Sequence, residues 1–582
     1  MPQFTTRPVI TGTHGVVAAG HYLAAAAGLR MLDKGGNAVD AGVAAGLALE
    51  VLKPQSTGIG GEVPILIAPV GGWSGQSVVA IKGQGCAPRA ATIDWFRREG
   101  IDLIPGDGFL PATVPGAFGS WATALLNFGR LSLTEVLEPA IELAEEGFPV
   151  YDGLRDVIIR NAEKYAEQWP STAAIYLPNG KPPANGDVLV QKDWARTFKA
   201  VADAEIRNRA SGREAGIQAG LDYFYRGPIA RQIADFIAST EVLDASGRKH
   251  RGLLAYEDFA EYRTNLEAPA RRSYRDYVVC KCGPWCQGPV FLQQLALLEG
   301  YDLAALGHNS AEYIHLVVEA SKLAYADREY YYGDPAFTAV PLERLLSAEY
   351  QVERRQLIDR ARASLELRPG NAPTLSVEDR TGRPSTFRGD TTHVDAVDAE
   401  GNLFAATPSG GWIPSSPVVA GLGFPVGTRG QMFALDPAHP NALVPGKRPR
   451  TTLTPSLALR NGEPWLAFGT PGGDQQDQWT LQFFLNVVDF GMDLQAAIDA
   501  PTFHSLHWPS SFYPRDAHPG RLVVEGRIGP EVREELAGRG HEVVVTGDWN
   551  NGQVSAVELD RRQGVLRGAA SPRGMTAYAV GR

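Results

Sequence analysis

Small and apolar residues crowd positions 15–52, interrupted by G-G-N-A-V-D-A-G at 35–42. That pattern predicts a helix, a glycine-broken turn and a second, buried helix rich in alanine. A strand is expected at 63–67, directly after T-G-I-G-G-E at 57–62. From 141 to 350 the apolar spacing is mostly helical, most clearly in the amphipathic stretch 311–328, with short strands such as 277–280 between. The rhythm breaks at 363–390, where Pro369, Pro373, Pro384, Ser385, Thr386 and repeated charges replace apolar periodicity. This composition predicts an exposed loop or linker. Period two follows at once, with strands at 392–398 and 403–407 around the turn Ala399-Glu400-Gly401-Asn402. Gly401 and Asn402 are expected to supply the positive φ of a tight hairpin. The junction places a hydroxyl residue, Thr391, at the head of a central strand.

The 582 residues exceed what one hydrophobic core usually serves, so more than one unit is expected. A composition of 44% hydrophobic and 21% charged residues excludes disordered and fibrous classes. The net charge of −10 is spread without a long basic run, so neither nucleic acid nor an anionic membrane is an expected partner. The most apolar helical stretch, 23–32, is too short to cross a bilayer. The first residues, M-P-Q-F-T-T-R-P, show no basic region ahead of an apolar one, and a cytoplasmic location is expected. Cys86 stands alone while Cys280, Cys282 and Cys286 cluster as C-K-C-G-P-W-C. Reduced thiols in or beside a strand are expected. Without a fourth ligand or a C-x₂-C spacing, no metal is expected there.

A threonine hydroxyl is a poor nucleophile unless a base lies within hydrogen-bond reach. Cutting the chain between Asp390 and Thr391 would set a new α-amine beside the Thr391 Oγ. A free α-amine titrates at about 7.7–8.0, so it takes a proton near neutrality without a histidine. One residue then supplies nucleophile and base, and the linker before it must leave to open the site. Acyl chemistry also needs donors for a tetrahedral oxyanion. G-T-P-G-G-D at 469–474 leads into an amphipathic stretch at 475–490. Glycines at such a helix start let backbone N–H groups approach a developing charge. His393 is expected to be a packed strand residue, because the α-amine makes a second base redundant. Asp327 and Arg328 are expected to be helix-surface charges in ion pairs.

T-T-H-V-D-A-V-D-A-E-G-N at 391–402 resembles the start of the small subunit of γ-glutamyltransferases. The likeness spans nearly the whole chain. It runs in order through G-G-N-A-V-D-A (35–41), G-I-G-G (58–61), P-A-T-V-P-G-A (111–117), A-Y-A-D-R-E-Y-Y-Y-G-D-P (324–335), G-K-R-P-R-T-T-L-T-P (446–455) and G-T-P-G-G (469–473). The resemblance implies an α/β (α+β) fold, the four-layer αββα sandwich of N-terminal-nucleophile hydrolases, formed by both halves of a self-cleaved precursor. Residues 1–390 would be the large subunit, with 363–390 as the linker, and 391–582 the small subunit. It also implies roles by position: Gly472 and Gly473 as the oxyanion donors, Ser409 as a hydroxyl bonded to the nucleophile, and Thr451 and Thr452 as a pair contacting the substrate carboxylate.

Three positions depart from the family. Its carboxylate-gripping arginine falls on Gln84, its ammonium-holding aspartate on Phe433, and an asparagine of the same pocket on Gly411. Losing charged grips removes hydrogen bonds worth about 1.5–3 kcal/mol each. The expected function is therefore cleavage of an amide, γ-glutamyl or a related small acyl amide, through a Thr391 acyl-enzyme. Alternatives are an amidohydrolase of the oxamate type, a cephalosporin-acylase-like enzyme with Phe433 and Trp412 lining a bulkier pocket, and a non-catalytic scaffold of the same fold. Lys82, Arg429 and Arg450 are further candidates to hold a carboxylate. The partners expected are a small-molecule amide and the two subunits of one precursor, with a homodimer of processed heterodimers left open. The chemistry is complete without a cofactor, so none is expected.

Overall fold

Two seven-stranded antiparallel sheets lie face to face, each assembled from both sides of the 390/391 junction. In spatial order one contains Ile10–Gly12, Val565–Ala570, Ser555–Asp560, Glu463–Gly469, Ser456–Arg460, Tyr277–Lys281 and Ala270–Tyr274. The other contains Tyr578–Gly581, Gly15–Ala19, Val394–Asp398, Leu403–Ala406, Ile65–Ala68, Val79–Lys82 and Asn265–Glu267. The structure is a computed structural model that describes residues 4–376 and 390–582.

Side chains alternate across these strands, as a pleat requires. Val17, Ala19, Val394, Ala396, Phe404 and Ala406 join a core shared with the helices Tyr22–Asp33, Ala38–Leu52 and Ala117–Phe128. Their neighbours Val16, Ala18, Val397, Leu403 and Ala405 face the opposite sheet, where Cys280, Cys282, Leu457, Ala467 and Val557 meet them. Beyond that second sheet lie the helices Pro289–Leu298, Ala311–Tyr331 and Gln476–Val488. The layers run helix, sheet, sheet, helix, as the motifs implied. All four cysteines are free thiols. Among the described residues no helix is long and apolar enough to cross a membrane.

Three local expectations need correction. Gly401 takes φ +100°, but Asn402 does not adopt positive φ. Its side chain donates instead to Asp398 Oδ2 at 2.7 Å, while the N–H groups of Glu400, Gly401 and Asn402 converge on Asp398 Oδ1. The helix Ala311–Tyr331 is not amphipathic, for nearly every residue from Ala311 to Arg328 is buried. It runs inside its layer, between Pro289–Leu298 and the elements Phe503–Ser505 and Pro530–Gly538. Asp327 and Arg328 are therefore interior rather than surface charges. Finally, the early part of the linker is held. Ala363 N–H donates to Arg539 O at 2.8 Å, Leu375 N–H to Leu367 O at 2.9 Å, and Leu367 is buried. Pro384, Ser385 and Thr386 lie outside the described residues.

Lys281 and Asp477, both wholly buried, tie the first sheet to the helix Gln476–Val488 through a 2.9 Å ion pair. Lys281 Nζ also donates to Ser456 Oγ at 2.8 Å. Burial pushes the Asp477 carboxyl up to about 6, against the pull of Lys281. Because the folded-state value is raised, the contribution of this carboxyl is fully favourable below about pH 4 and is lost as pH rises through 6. Lys281→Met should cost about 3 kcal/mol at pH 8, where it strands an ionised carboxylate. The cost should shrink at pH 5, where Asp477 takes up a proton. Melting temperatures of both proteins at the two pH values check this, and an equal depression at both would count against it.

Candidate active site

Thr391 and Ser409 face each other across an isolated antiparallel bridge, at the start of one central strand and just past the end of the next. Both are buried, and their hydroxyl oxygens lie 3.1 Å apart. The Ser409 hydroxyl donates to the carbonyl oxygen of Asp390 at 2.8 Å. The Trp412 indole N–H donates to the same oxygen at 2.8 Å and to Ser56 O at 2.9 Å. The Asp390 side chain is held too: Thr391 N–H donates to Oδ1 at 2.8 Å and the Ser56 hydroxyl to Oδ2 at 2.5 Å. Gly410 and Gly411, with φ of +82° and +64°, turn the chain between Ser409 and Trp412. A Cβ on Gly411 would sit 3.0 Å from Gly61 N and 3.1 Å from Gly58 O, so at its positive φ glycine is favoured and any side chain would push these loops apart.

Behind Ser409 stands a buried ion pair. Arg429 Nη2 donates to Ser409 Oγ at 3.0 Å, while its Nε lies 2.5 Å from Glu62 Oε1. The guanidinium also lies over the Trp412 ring, 4.9 Å from its centroid. Burial lowers the Arg429 pKa and raises that of Glu62, each opposed by the charge of the other. Arg429 Nη1 is buried without a hydrogen-bond partner. Thr451 Oγ1 donates to Glu62 Oε1 at 2.9 Å, and the Thr451 carbonyl accepts the Gln287 N–H at 3.0 Å. The Gln287 side chain in turn donates to Gly473 O at 3.3 Å. Thr391, Ser409, Thr451 and the glycine pair thus belong to one continuous polar network.

The glycine turn is braced from beneath. Arg328 is wholly buried, ion-paired to Asp474 and donating to Gln287 Oε1 at 2.8 Å. Asp474 also accepts the Ser511 N–H at 2.8 Å and the Ser511 hydroxyl at 2.6 Å. Gly472 and Gly473 take φ of +126° and +57°, and a Cβ on Gly472 would run into Trp479. Neither glycine N–H meets an intramolecular acceptor among the described residues. The pair borders a cavity of about 240 Å³ with Trp479, Trp508 and Phe512. Backbone N–H groups left without an acceptor at a helix start are suited to an oxyanion.

Other sequence candidates stand apart. Thr452 Oγ1 is buried and unpartnered, whereas the Thr451 hydroxyl is already given to Glu62. Gln84 donates to Pro449 O at 2.5 Å, and its Oε1 has no partner. Phe433 packs with Ala87, Phe96, Leu110 and Leu443, while Trp412 packs with Met432 and Phe512, so the two aromatics belong to different apolar clusters. Lys82 pairs with Glu267 at 3.2 Å and Arg450 with Glu329 at 2.8 Å. His393 is locked between Thr407 Oγ1 at 2.9 Å and Asp395 Oδ1 at 2.8 Å. Reasoning from sequence missed Ser56, Glu62 and Gln287, and missed Arg328 as a brace. Glu62 directly follows the G-I-G-G run, a position that could have drawn notice. Gln287 carries no such signal.

Among the described residues, His315, Glu319 and His541 are grouped closely enough to hold a metal ion. Glu319 is already paired with Lys322 at 2.6 Å, and both ring nitrogens of His315 are engaged, to His541 and to Asp359 O. The group has no contact with Thr391.

The family model described as Gamma-glutamyltranspeptidase matches residues 24–581. A glutathione hydrolase-like YwrD proenzyme of Bacillus subtilis (strain 168) is 35% identical over 579 residues, covering 98% of this chain and 99% of the relative. A solved structure of LmbA2991HD is 46% identical, with each chain covered to 100% and a TM-score of 0.94. The cephalosporin acylase of Bacillus halodurans is 31% identical, with 100% and 98% covered and a TM-score of 0.84.

If Arg328 positions the glycine turn, Arg328→Met should lower kcat on the order of tenfold to 10²-fold while moving KM little, since small displacements of reacting groups are that costly. Steady-state kinetics of the folded variant check this. A change confined to KM would assign Arg328 elsewhere.

Proposed function

This chain belongs to the gamma-glutamyltranspeptidase family and is a self-processing amidohydrolase or acyltransferase; from that premise we propose that the cut falls between Asp390 and Thr391 and that Thr391 then forms the acyl-enzyme. The reading is carried by one observation, the buried Thr391 hydroxyl held 3.1 Å from Ser409 at the head of a central strand. Once free, the Thr391 α-amine takes the hydroxyl proton as Oγ attacks the substrate carbonyl carbon. The carbonyl oxygen becomes an oxyanion facing the Gly472 and Gly473 N–H groups. The C–N bond breaks, the amine leaves with the proton held by the α-amine, and water or an acceptor amine resolves the acyl-threonine.

For the acyl group, two features support one that carries a carboxylate and no ammonium. Of the three cations considered, Arg429 borders the nucleophile and keeps an open N–H. Phe433 cannot neutralise a γ-glutamyl ammonium, which favours a simple acid over an α-amino acid. The overall likeness to a cephalosporin acylase favours a second reading, cleavage of a bulkier side-chain amide. The separate packing of Phe433 and Trp412 weighs against it. The proposal includes a cytoplasmic location, for which four unpaired cysteines argue.

On a denaturing gel the purified protein should run as two fragments, the smaller beginning Thr-Thr-His, while Thr391→Ala stays whole and inactive. An unbroken, fully active chain would falsify the proposal. The pH profile of kcat/KM should rise through about 7.7–8.0 as the α-amine loses its proton; a profile flat from pH 6 to 9 would exclude that base. In a panel of γ-glutamyl anilide, glutathione, oxamate and glutaryl amides, Arg429→Met should raise KM by about tenfold or more for the acidic acyl groups. An equal effect on a neutral acyl amide would remove Arg429 from recognition.

A further inference from the structure

The first cut cannot use the base proposed for turnover. Before it, the Thr391 nitrogen is part of a peptide bond and donates its hydrogen to Asp390 Oδ1. The glycine pair also has no contact with the Asp390 carbonyl; the donors on that oxygen are Ser409 Oγ and Trp412 Nε1, each at 2.8 Å. We propose that Trp412 and Ser409 form a separate oxyanion site that serves self-cleavage, with the Trp412 indole N–H as a catalytic donor. The proposal rests on the assignment of Asp390–Thr391 as the cut bond.

Counting hydrogens fixes the direction of the network. A serine hydroxyl has one hydrogen and two acceptor sites. The Ser409 hydrogen goes to Asp390 O, and one acceptor site takes Arg429 Nη2–H. The 3.1 Å contact to Thr391 must therefore be Thr391 donating to Ser409. Thr391 Oγ can then attack the Asp390 carbonyl carbon as its proton passes to Ser409 and the Ser409 proton passes to the former carbonyl oxygen. The new C–O bond forms and the C=O π bond opens without net charge, so no external base is consumed. C–O bond formation runs ahead of proton delivery, so negative charge builds on that oxygen before the Ser409 proton arrives, and the Trp412 N–H donates to it at that point. Collapse re-forms the carbonyl, breaks the Asp390 C–Thr391 N bond and leaves the proton on the departing nitrogen. The amide has become an ester and a free amine. Water hydrolyses the ester to the Asp390 carboxylate and the Thr391 hydroxyl.

Position suits Trp412 to this task. It is wholly buried, seated between Arg429 and Phe512, and the preceding Gly410–Gly411 turn aims its indole edge at Asp390. The cation lies over the ring face and not at the N–H edge, whose hydrogen is shared between Asp390 O at 2.8 Å and Ser56 O at 2.9 Å. Removing one oxyanion donor typically slows a reaction by about 10²–10³-fold.

The test follows precursor made by cell-free translation, timing the appearance of the small fragment on denaturing gels and sequencing its N-terminus. Trp412→Phe removes the N–H but also ring volume. A second protein carrying β-(3-benzothienyl)alanine at position 412 therefore keeps the two-ring shape and puts sulfur where the N–H was. Melting temperatures are measured alongside, with Thr391→Ala as the uncleaved control. Self-cleavage of the benzothienyl protein is expected to be slower by about 10²-fold, and a slowing below about tenfold overturns the proposal. A wild-type fragment that starts anywhere but Thr391 overturns the cleavage assignment and this proposal with it. A correct cut that is indifferent to the lost N–H overturns this proposal alone.

Discussion

The Arg429–Glu62 ion pair is the contact on which the site hangs. Both ions are almost completely buried, and stripping water from each costs several kcal/mol that the pair alone does not recover. The remainder is offset by what the two ions hold. Glu62 fixes Thr451, Arg429 fixes Ser409, and Ser409 fixes both Thr391 and the Asp390 carbonyl. A buried pair is weak evidence of stability, yet a polar network whose members constrain one another specifies one geometry. Here that geometry is the approach of a hydroxyl to a peptide carbonyl.

If the chain is cut between Asp390 and Thr391 as proposed, the two pieces must hold together afterwards, and the sheet order explains how they would. The strand Val394–Asp398 lies between Gly15–Ala19 from before the cut and Leu403–Ala406 from after it. The opposite sheet also mixes origins, its later strands flanked by Ile10–Gly12 on one side and by Tyr277–Lys281, paired to Ser456–Arg460, on the other. Separating the halves would break every strand pairing that crosses between them and open the inter-sheet core, a cost that opposes dissociation after one bond is cut. The nucleophile can be freed because the strand that carries it is secured by its neighbours rather than by the chain in front of it.

Much of this was legible in residue patterns. The switch from a proline-rich, aperiodic stretch to period two at 391 located the hairpin, since alternation survives whichever sheet a strand joins. The glycine turn at 472–473 was legible because its chemistry is backbone chemistry. The helix 311–331 was misread for a physical reason: Glu319, Lys322, Asp327 and Arg328 look like a solvated face, and only tertiary packing reveals that each has an interior partner. The same limit hid Gln287 and Ser56, whose contacts with Gly473 and Asp390 join segments more than a hundred residues apart. Trp412 was noticed for its bulk, while its N–H, which is what the Asp390 carbonyl meets, depends on a turn built by Gly410 and Gly411. Residues 377–389 lie outside what the structure describes, so that half of the linker stands on composition alone.

On the proposed reading, recognition of the acyl group follows from the same ion pair. A carboxylate entering beside Arg429 meets a guanidinium already neutralised by Glu62, so little long-range attraction is expected. What awaits it is the buried Nη1 amino group, which has no hydrogen-bond partner among the described residues. Leaving such a donor unpaired costs roughly 1–3 kcal/mol, and a ligand that pairs it recovers that amount. A site of this kind discriminates chiefly by penalising acyl groups that bring no acceptor. It needs neither the arginine replaced by Gln84 nor the aspartate replaced by Phe433. The loss of both charged grips is then a change in what is read, from the charge pair of an amino acid to the presence of a single well-placed acceptor.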